Sequence, residues 1–230
     1  MEPNNPLLDD YILEQAHRDT PRVCFIPTAS GDAEGYIGRF YQSFRPRPCV
    51  ATHLSLFKPT GSDPCRLIQE QDVLYVGGGN TRNLLVLWRE WGLDAAVRQA
   101  WERGVVLAGL SAGSLCWYEE GLSDSLGAGF SRIEGLGLLP GSHCPHFGNE
   151  EGRRPAYVAM IGDGSMRPGV AADDSVALHY IDTHLAHALS SRPQAGAYRV
   201  SRSGDGVAVV RVDPMYLGDS VAAEGEGAGH

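Results

Sequence analysis

The sequence predicts an α/β protein built in three layers, a mostly parallel sheet flanked by helices. Three observations carry this. Short apolar runs at 22–27, 72–76 and 105–109 alternate with segments of helical spacing, the pattern of a parallel sheet covered on both faces. Each run ends in turn-forming residues: Pro27-Thr28-Ala29-Ser30-Gly31, Gly77-Gly78-Gly79-Asn80 and Gly109-Leu110-Ser111-Ala112-Gly113. Beyond about residue 167 the helical spacing gives way to short strand-like runs between turns. These are expected to form a C-terminal antiparallel extension of the same sheet.

Taken in order, residues 7–17 form a short amphipathic helix, and Arg22 to Pro27 a buried strand. Tyr36, Phe40, Tyr41 and Phe44 then recur at helical spacing. Residues 51–57 alternate as a strand, and 72–76 form another, closed by the triple glycine. Leu84, Leu87, Trp88 and Trp91 mark a helix over 81–91, and a second runs from Leu93 to Arg103, where Gly104 ends it. The strand 105–109 follows. Later strands are expected at 176–180, 186–189, 197–200 and 207–212. A single domain over 1–221 and a Gly/Glu-rich flexible tail over 222–230 complete the organisation.

Length and charge narrow the function classes. The chain has 230 residues, enough for one sizeable core. Nineteen basic residues stand against 28 acidic ones, a net charge of −9, which disfavours a nucleic-acid partner. No apolar run reaches the ~18 residues of a spanning helix, and the first residues have no signal-peptide pattern, so no membrane association is expected. Five cysteines, an odd number without a C-x-x-C pair, fit reduced thiols in the cytoplasm.

The chemistry is carried by Gly109-Leu110-Ser111-Ala112-Gly113 at the end of an apolar strand. This is the pattern of a nucleophile elbow, in which a strand delivers a serine into a tight turn and a helix begins behind it. Ser111 then needs a base. His143 and His146 lie just after the apolar run 136–139, at the mouth of a strand. Pro145 stiffens that loop and Phe147 can anchor it, which favours His146. An orienting acid is available in Asp173 or Asp174, which follow an apolar quartet and precede an alternating strand. Asp124 is the acid if the order is Ser, acid, His, as in α/β-hydrolases. Three glycines at 77–79 can aim backbone N–H groups at an alkoxide. The same loop lacks the Lys-Ser/Thr of a phosphate-binding Walker motif. His143 and His146 have no matching third cluster for a catalytic zinc, so no metal is expected.

Together with Phe25-Ile26-Pro27-Thr28-Ala29-Ser30, Val76-Gly77-Gly78-Gly79-Asn80-Thr81, Pro145-His146-Phe147 and Gly169 to Leu178, the elbow resembles the peptidase E family of serine peptidases, which is related to the cyanophycin-degrading enzymes. The resemblance runs from about Val23 to Leu178. It implies a class I glutamine amidotransferase-like fold with serine in place of cysteine, and a catalytic order Ser111, His146, Asp174. The third position is usually glutamate in the family. It implies oxyanion donors at Gly78 or Gly79 and at Ala112. It also implies hydrolysis of short peptides without a cofactor, as a dipeptidase that prefers N-terminal aspartate. The family's Glu-Thr-Arg substrate pattern is absent here. Arg153 or Arg154 in Glu150-Glu151-Gly152-Arg153-Arg154 is the candidate acid-capturing residue, with Asn80 a further substrate contact. A monomer or homodimer is implied. The alternatives are an esterase or amidase using the same residues, and a non-catalytic binding protein on the same fold.

Overall fold

The computed structural model describes residues 1–59, 61, 63–127, 129–204 and 206–218. The tail expected over 222–230 lies outside them. The chain opens with α1 (Leu7–Glu14), β1 (Arg22–Ile26), a 3-10 turn (Thr28–Ser30), α2 (Glu34–Phe44) and β2 (Val50–His53). It continues with α3 (Pro64–Gln69), β3 (Val73–Val76), α4 (Thr81–Glu90), α5 (Leu93–Glu102) and β4 (Val106–Gly109). The four strands form one parallel sheet in the order β2-β1-β3-β4.

Strand alternation divides the core between the two faces of this sheet. Val23, Phe25, Val73 and Tyr75 pack with Phe40 and Phe44 of α2. Cys24, Ile26, Leu74 and Val76 pack with Leu84 and Trp88 of α4 and Val97 of α5. These strands read as continuous apolar runs because both faces are covered. β2 stops at His53, short of the expected 57. The Ser55 hydroxyl and the Phe57 N–H donate instead to the Asp32 carboxylate, which draws the chain off β1.

After β4 come a one-turn helix α6 (Ala112–Leu115), β5 (Tyr118–Ser123), β6 (Ser131–Glu134), β7 (Leu139–Cys144) and α7 (Arg153–Asp163). They are followed by β8 (Gly169–Ala172), β9 (Val176–Ile181), β10 (His184–Ser190), β11 (Ala197–Ser203), β12 (Gly206–Val212) and β13 (Met215–Tyr216). A six-stranded sheet has the order β12-β11-β8-β7-β5-β6. Its central pairs β5/β7 and β7/β8 are parallel, and its flanks β5/β6, β8/β11 and β11/β12 are antiparallel.

The expectation of one continuous sheet is corrected: the strands fall into three sheets. The chain leaves β4 through the elbow and α6 before β5 begins a new one. The runs near 176–180 and 186–189 form a hairpin, β9/β10, that joins β13 in a separate three-stranded sheet. Only β11 and β12 extend the six-stranded sheet. The two larger sheets share a core, in which Leu74 and Val76 belong to the same cluster as Tyr118, Leu138 and Val170. Among the described residues no helix is long and apolar enough to cross a membrane, and the five cysteines are unpaired.

Candidate active site

Ser111 sits between β4 and α6 with φ 52° and ψ −113°, a strained conformation for a residue with a side chain. The flanking glycines are fixed by close backbone approach. A Cβ on Gly109 would lie 2.0 Å from Gly113 O, and one on Gly113 would lie 2.3 Å from Val76 O. The turn therefore presses against itself and against β3, and only hydrogen fits at either position. Gly78 lies beside the serine, where a Cβ would stand 3.2 Å from Ser111 Cβ. Ala112 is the first residue of α6, so its N–H has no intrahelical carbonyl to bond.

His146 follows β7 and also has a positive φ, 58°. Its loop is anchored by Phe147, which is fully buried, packs on Tyr157 and Tyr198, and donates its N–H to Ala172 O. His146 Nδ1 lies 2.5 Å from Asp174 Oδ1. With the Nδ1 proton donated to that carboxylate, Nε2 is left unprotonated, the tautomer a general base requires. Ser111 Oγ and His146 Nε2 have no hydrogen-bond partner among the described residues. One contact linking their elements runs through Ser114, whose hydroxyl lies 2.8 Å from Ser111 O and 3.2 Å from His143 Nε2.

His143 is buried inside the protein. It stacks on Tyr118, and its Nδ1 pairs with Val170 O at 3.1 Å. Burial pushes its pKa down to about 4, so it is neutral near pH 7 and ties α6, β7 and β8 together. Among the described residues no group of three or more His, Cys, Asp or Glu is gathered to hold a metal ion.

Of the candidate acids, only Asp174 reaches His146. Asp173 turns the other way and accepts from Gly148 N–H, Gly196 N–H and the Tyr198 hydroxyl. Asp124 lies exposed in the turn after β5, with no carboxylate partner among the described residues. Asn80 is taken up in structure: its Oδ1 accepts from Asn83 N–H to cap α4, and its Nδ2 donates to Ser125 O. Both ends of the side chain thus make structural bonds, and one Nδ2 hydrogen remains over. Arg153 is 4% exposed. Its guanidinium donates to Glu150 Oε2 at 2.6 Å and to Leu122 O at 3.2 Å, and it covers the Phe130 ring. Arg154 is exposed and lies over the rings of Phe147 and Tyr198, beside the His146 loop.

Asn149 was not legible as a site residue. Its Oδ1 accepts the Asp174 N–H at 2.7 Å, so it helps set the acid's backbone. Its one sequence signal is its place three residues after His146.

The sequence matches the family described as peptidase family S51 over residues 1–188. The chain belongs to this family. By class the S51 chain is a serine peptidase. It is 53% identical over 218 residues to a Bacillus subtilis protein called uncharacterized peptidase YgaJ, covering 95% of this chain and 94% of that one. It is 38% identical over 90 residues to peptidase E of Citrobacter koseri, covering 38% of this chain and 39% of that one. Two solved structures share the fold. A peptidase from an acI-B1 Actinobacterium has a TM-score of 0.66 at 16% identity, covering 91% of this chain and 88% of that one. A putative peptidase E from Listeria monocytogenes EGD-e has a TM-score of 0.52 at 17% identity, covering 90% and 95%.

Proposed function

We propose that this S51 peptidase hydrolyses short peptides from the N-terminal end, as a dipeptidase, with Ser111, His146 and Asp174 as its catalytic residues. The observation that carries this reading is the His146–Asp174 pair at 2.5 Å, which leaves Nε2 unoccupied. Ser111 Oγ attacks the scissile carbonyl while His146 Nε2 takes its proton. Backbone N–H groups of the glycine loop and Ala112 stabilise the oxyanion. His146 then protonates the leaving amine, the C–N bond breaks, and a water activated by the same imidazole releases the acyl group.

A preference for N-terminal aspartate belongs to the proposal and is assigned to Arg154. Its support is exposure beside the His146 loop and the absence of a carboxylate partner among the described residues. Arg153, committed to Glu150 and Leu122, is left out of substrate capture. The glutamine amidotransferase-like class and the C-terminal antiparallel extension are proposed on the parallel order β2-β1-β3-β4 and the antiparallel pairing of β11 and β12. A cytoplasmic location is proposed on the unpaired cysteines. A small peptide is the proposed partner, and the protein is proposed to act as a monomer or homodimer.

A dipeptide library varied at its first residue tests the reading. Wild type is expected to cleave dipeptides, Asp-initiated ones fastest, whereas Ser111→Ala and His146→Ala lose nearly all turnover with the fold intact. Full peptidase activity in Ser111→Ala, or ester turnover without peptide turnover in wild type, overturns it.

A further inference from the structure

Four backbone N–H groups lie in the glycine loop, and three are engaged. Gly77 N–H donates to Ile26 O at 3.0 Å, and Asn80 N–H donates to Ala29 O at 2.7 Å. Gly78 N–H donates to the Tyr36 hydroxyl at 3.1 Å. The Gly79 N–H has no partner among the described residues. Gly78 is thus the one whose N–H is held by a side chain, and a Cβ added there would lie 3.2 Å from Ser111 Cβ.

Tyr36 is built for this contact. It stands in the first turn of α2, and its ring meets Phe25 edge-on at 5.1 Å between centroids. The ring also packs on Gly77, where a Cβ would come within 3.0 Å of Tyr36 Cε1. Arg39 lies over the same ring. Burial raises the hydroxyl's pKa, so it stays protonated and its oxygen is a fixed acceptor. A run of three glycines has wide backbone freedom, and a single hydrogen bond to its middle residue selects one peptide orientation.

We propose that Tyr36 is a positioning residue: by holding the Gly78 N–H it fixes the Gly77–Gly78 peptide and occupies that donor, so that the N–H of the next peptide, that of Gly79, is the loop's donor to the oxyanion. This narrows the pair Gly78 or Gly79 to one donor, and it rests on the serine-peptidase mechanism above. Tyr36 does not touch the substrate. Its loss therefore acts on the transition state and leaves ground-state binding alone.

Tyr36→Phe keeps the ring and removes the hydroxyl. Removing one oxyanion donor outright costs about 10²–10³ in kcat, and misaligning it is expected to cost roughly ten- to a hundredfold. Phosphonylation of Ser111 by a fluorophosphonate separates binding from reaction. The variant is expected to lose that factor in the maximal labelling rate and in dipeptide kcat, with half-saturating concentration, KM and Tm near wild type. A second measurement uses wild type alone. In ¹H–¹⁵N spectra of the phosphonyl adduct, the Gly79 amide proton is expected to move downfield while that of Gly78 stays in place. Wild-type rates in Tyr36→Phe, a change confined to KM, a rate loss that tracks unfolding, or a downfield shift at Gly78 overturns the proposal and leaves the peptidase reading standing. Failure of wild-type Ser111 to label in folded protein overturns both.

Discussion

Asp173 and Asp174 hold one loop at two points. Asp174 Oδ1 pairs with the His146 ring, while Asp173 Oδ1 accepts the Gly148 N–H two residues further on. Asp173 Oδ2 is bound in turn by Gly196 N–H and the Tyr198 hydroxyl. A Cβ on Gly148 would lie 2.6 Å from Asp173 Oδ1, so the loop can approach this closely only as glycine. The two carboxylates leave the turn between β8 and β9 in different directions, Asp174 to the imidazole and Asp173 to the loop's backbone.

This division predicts different losses for the two carboxylates. Asp174→Asn is expected to lower kcat by about 10²–10⁴, the worth of a well-oriented general base, with little change in Tm. Asp173→Asn sets an amide against backbone donors and loses charge-assisted bonds worth about 1.5–3 kcal/mol. It is expected to lower Tm by several degrees, with a smaller loss of kcat. Thermal melts and steady-state kinetics on the two variants check this; equal effects in both would contradict it.

The glycine loop gives a second contrast. Gly79 has φ 138°, and a Cβ there would lie 2.3 Å from Ala29 O. Gly79→Ala is therefore expected to destabilise the fold by more than about 1 kcal/mol. Gly78 has no such φ, and its Cβ would crowd Ser111 at 3.2 Å. Gly78→Ala is expected to keep most of its Tm and lose turnover. Urea midpoints and dipeptide kcat measured together distinguish the two.

Buried His143 makes stability depend on pH. Its pKa is about 4 in the fold against an ordinary 6.5. As pH falls through 6.5 the unfolded chain takes up the proton first, so the native state loses stability between about 6.5 and 4 and levels off below. Stability from this group is fully present above 6.5. A His143→Gln variant is expected to have a flatter urea midpoint across that window than wild type. Parallel curves would assign the acid lability to other groups.

The two arginines are expected to separate as well. Arg153→Ala takes a donor from Leu122 O and Glu150 and removes a buried side chain, at a cost of about 1–3 kcal/mol. Arg154→Ala is expected to raise KM for Asp-initiated dipeptides while leaving neutral ones unchanged and Tm within a degree or two. An unaltered Asp preference in Arg154→Ala would remove it from substrate capture.

How far the sequence could be read follows from where the signal is local. β1, β3, α4, α5 and β4 were legible because apolar period and turn glycines coincide in them, and the elbow because two glycines flank its serine. α7 was not anticipated: its buried stripe is Arg153, Tyr157 and Ile161, and an arginine hides the helical period. The division into separate sheets was not legible either, since strand runs carry no label for their hydrogen-bond partners. Asn80 read as a possible substrate contact, although an asparagine just before a helix is also a preferred cap. Tyr36, Asn149 and the orientation of Asp173 depend on residues far away in the chain.

The four-stranded sheet presents Ser111, whereas the six-stranded sheet presents His146 and Asp174, and Asp173, which holds the His146 loop at Gly148, is bound in turn by Gly196 and Tyr198. On the proposed catalytic assignment, a ribosome making this protein therefore releases the serine long before the base and acid proposed to act on it. With the proposed catalytic residues, the growing polypeptide carries its nucleophile before its base and acid, and the loop that holds the base is tied to β11 only after Gly196 and Tyr198 have been made.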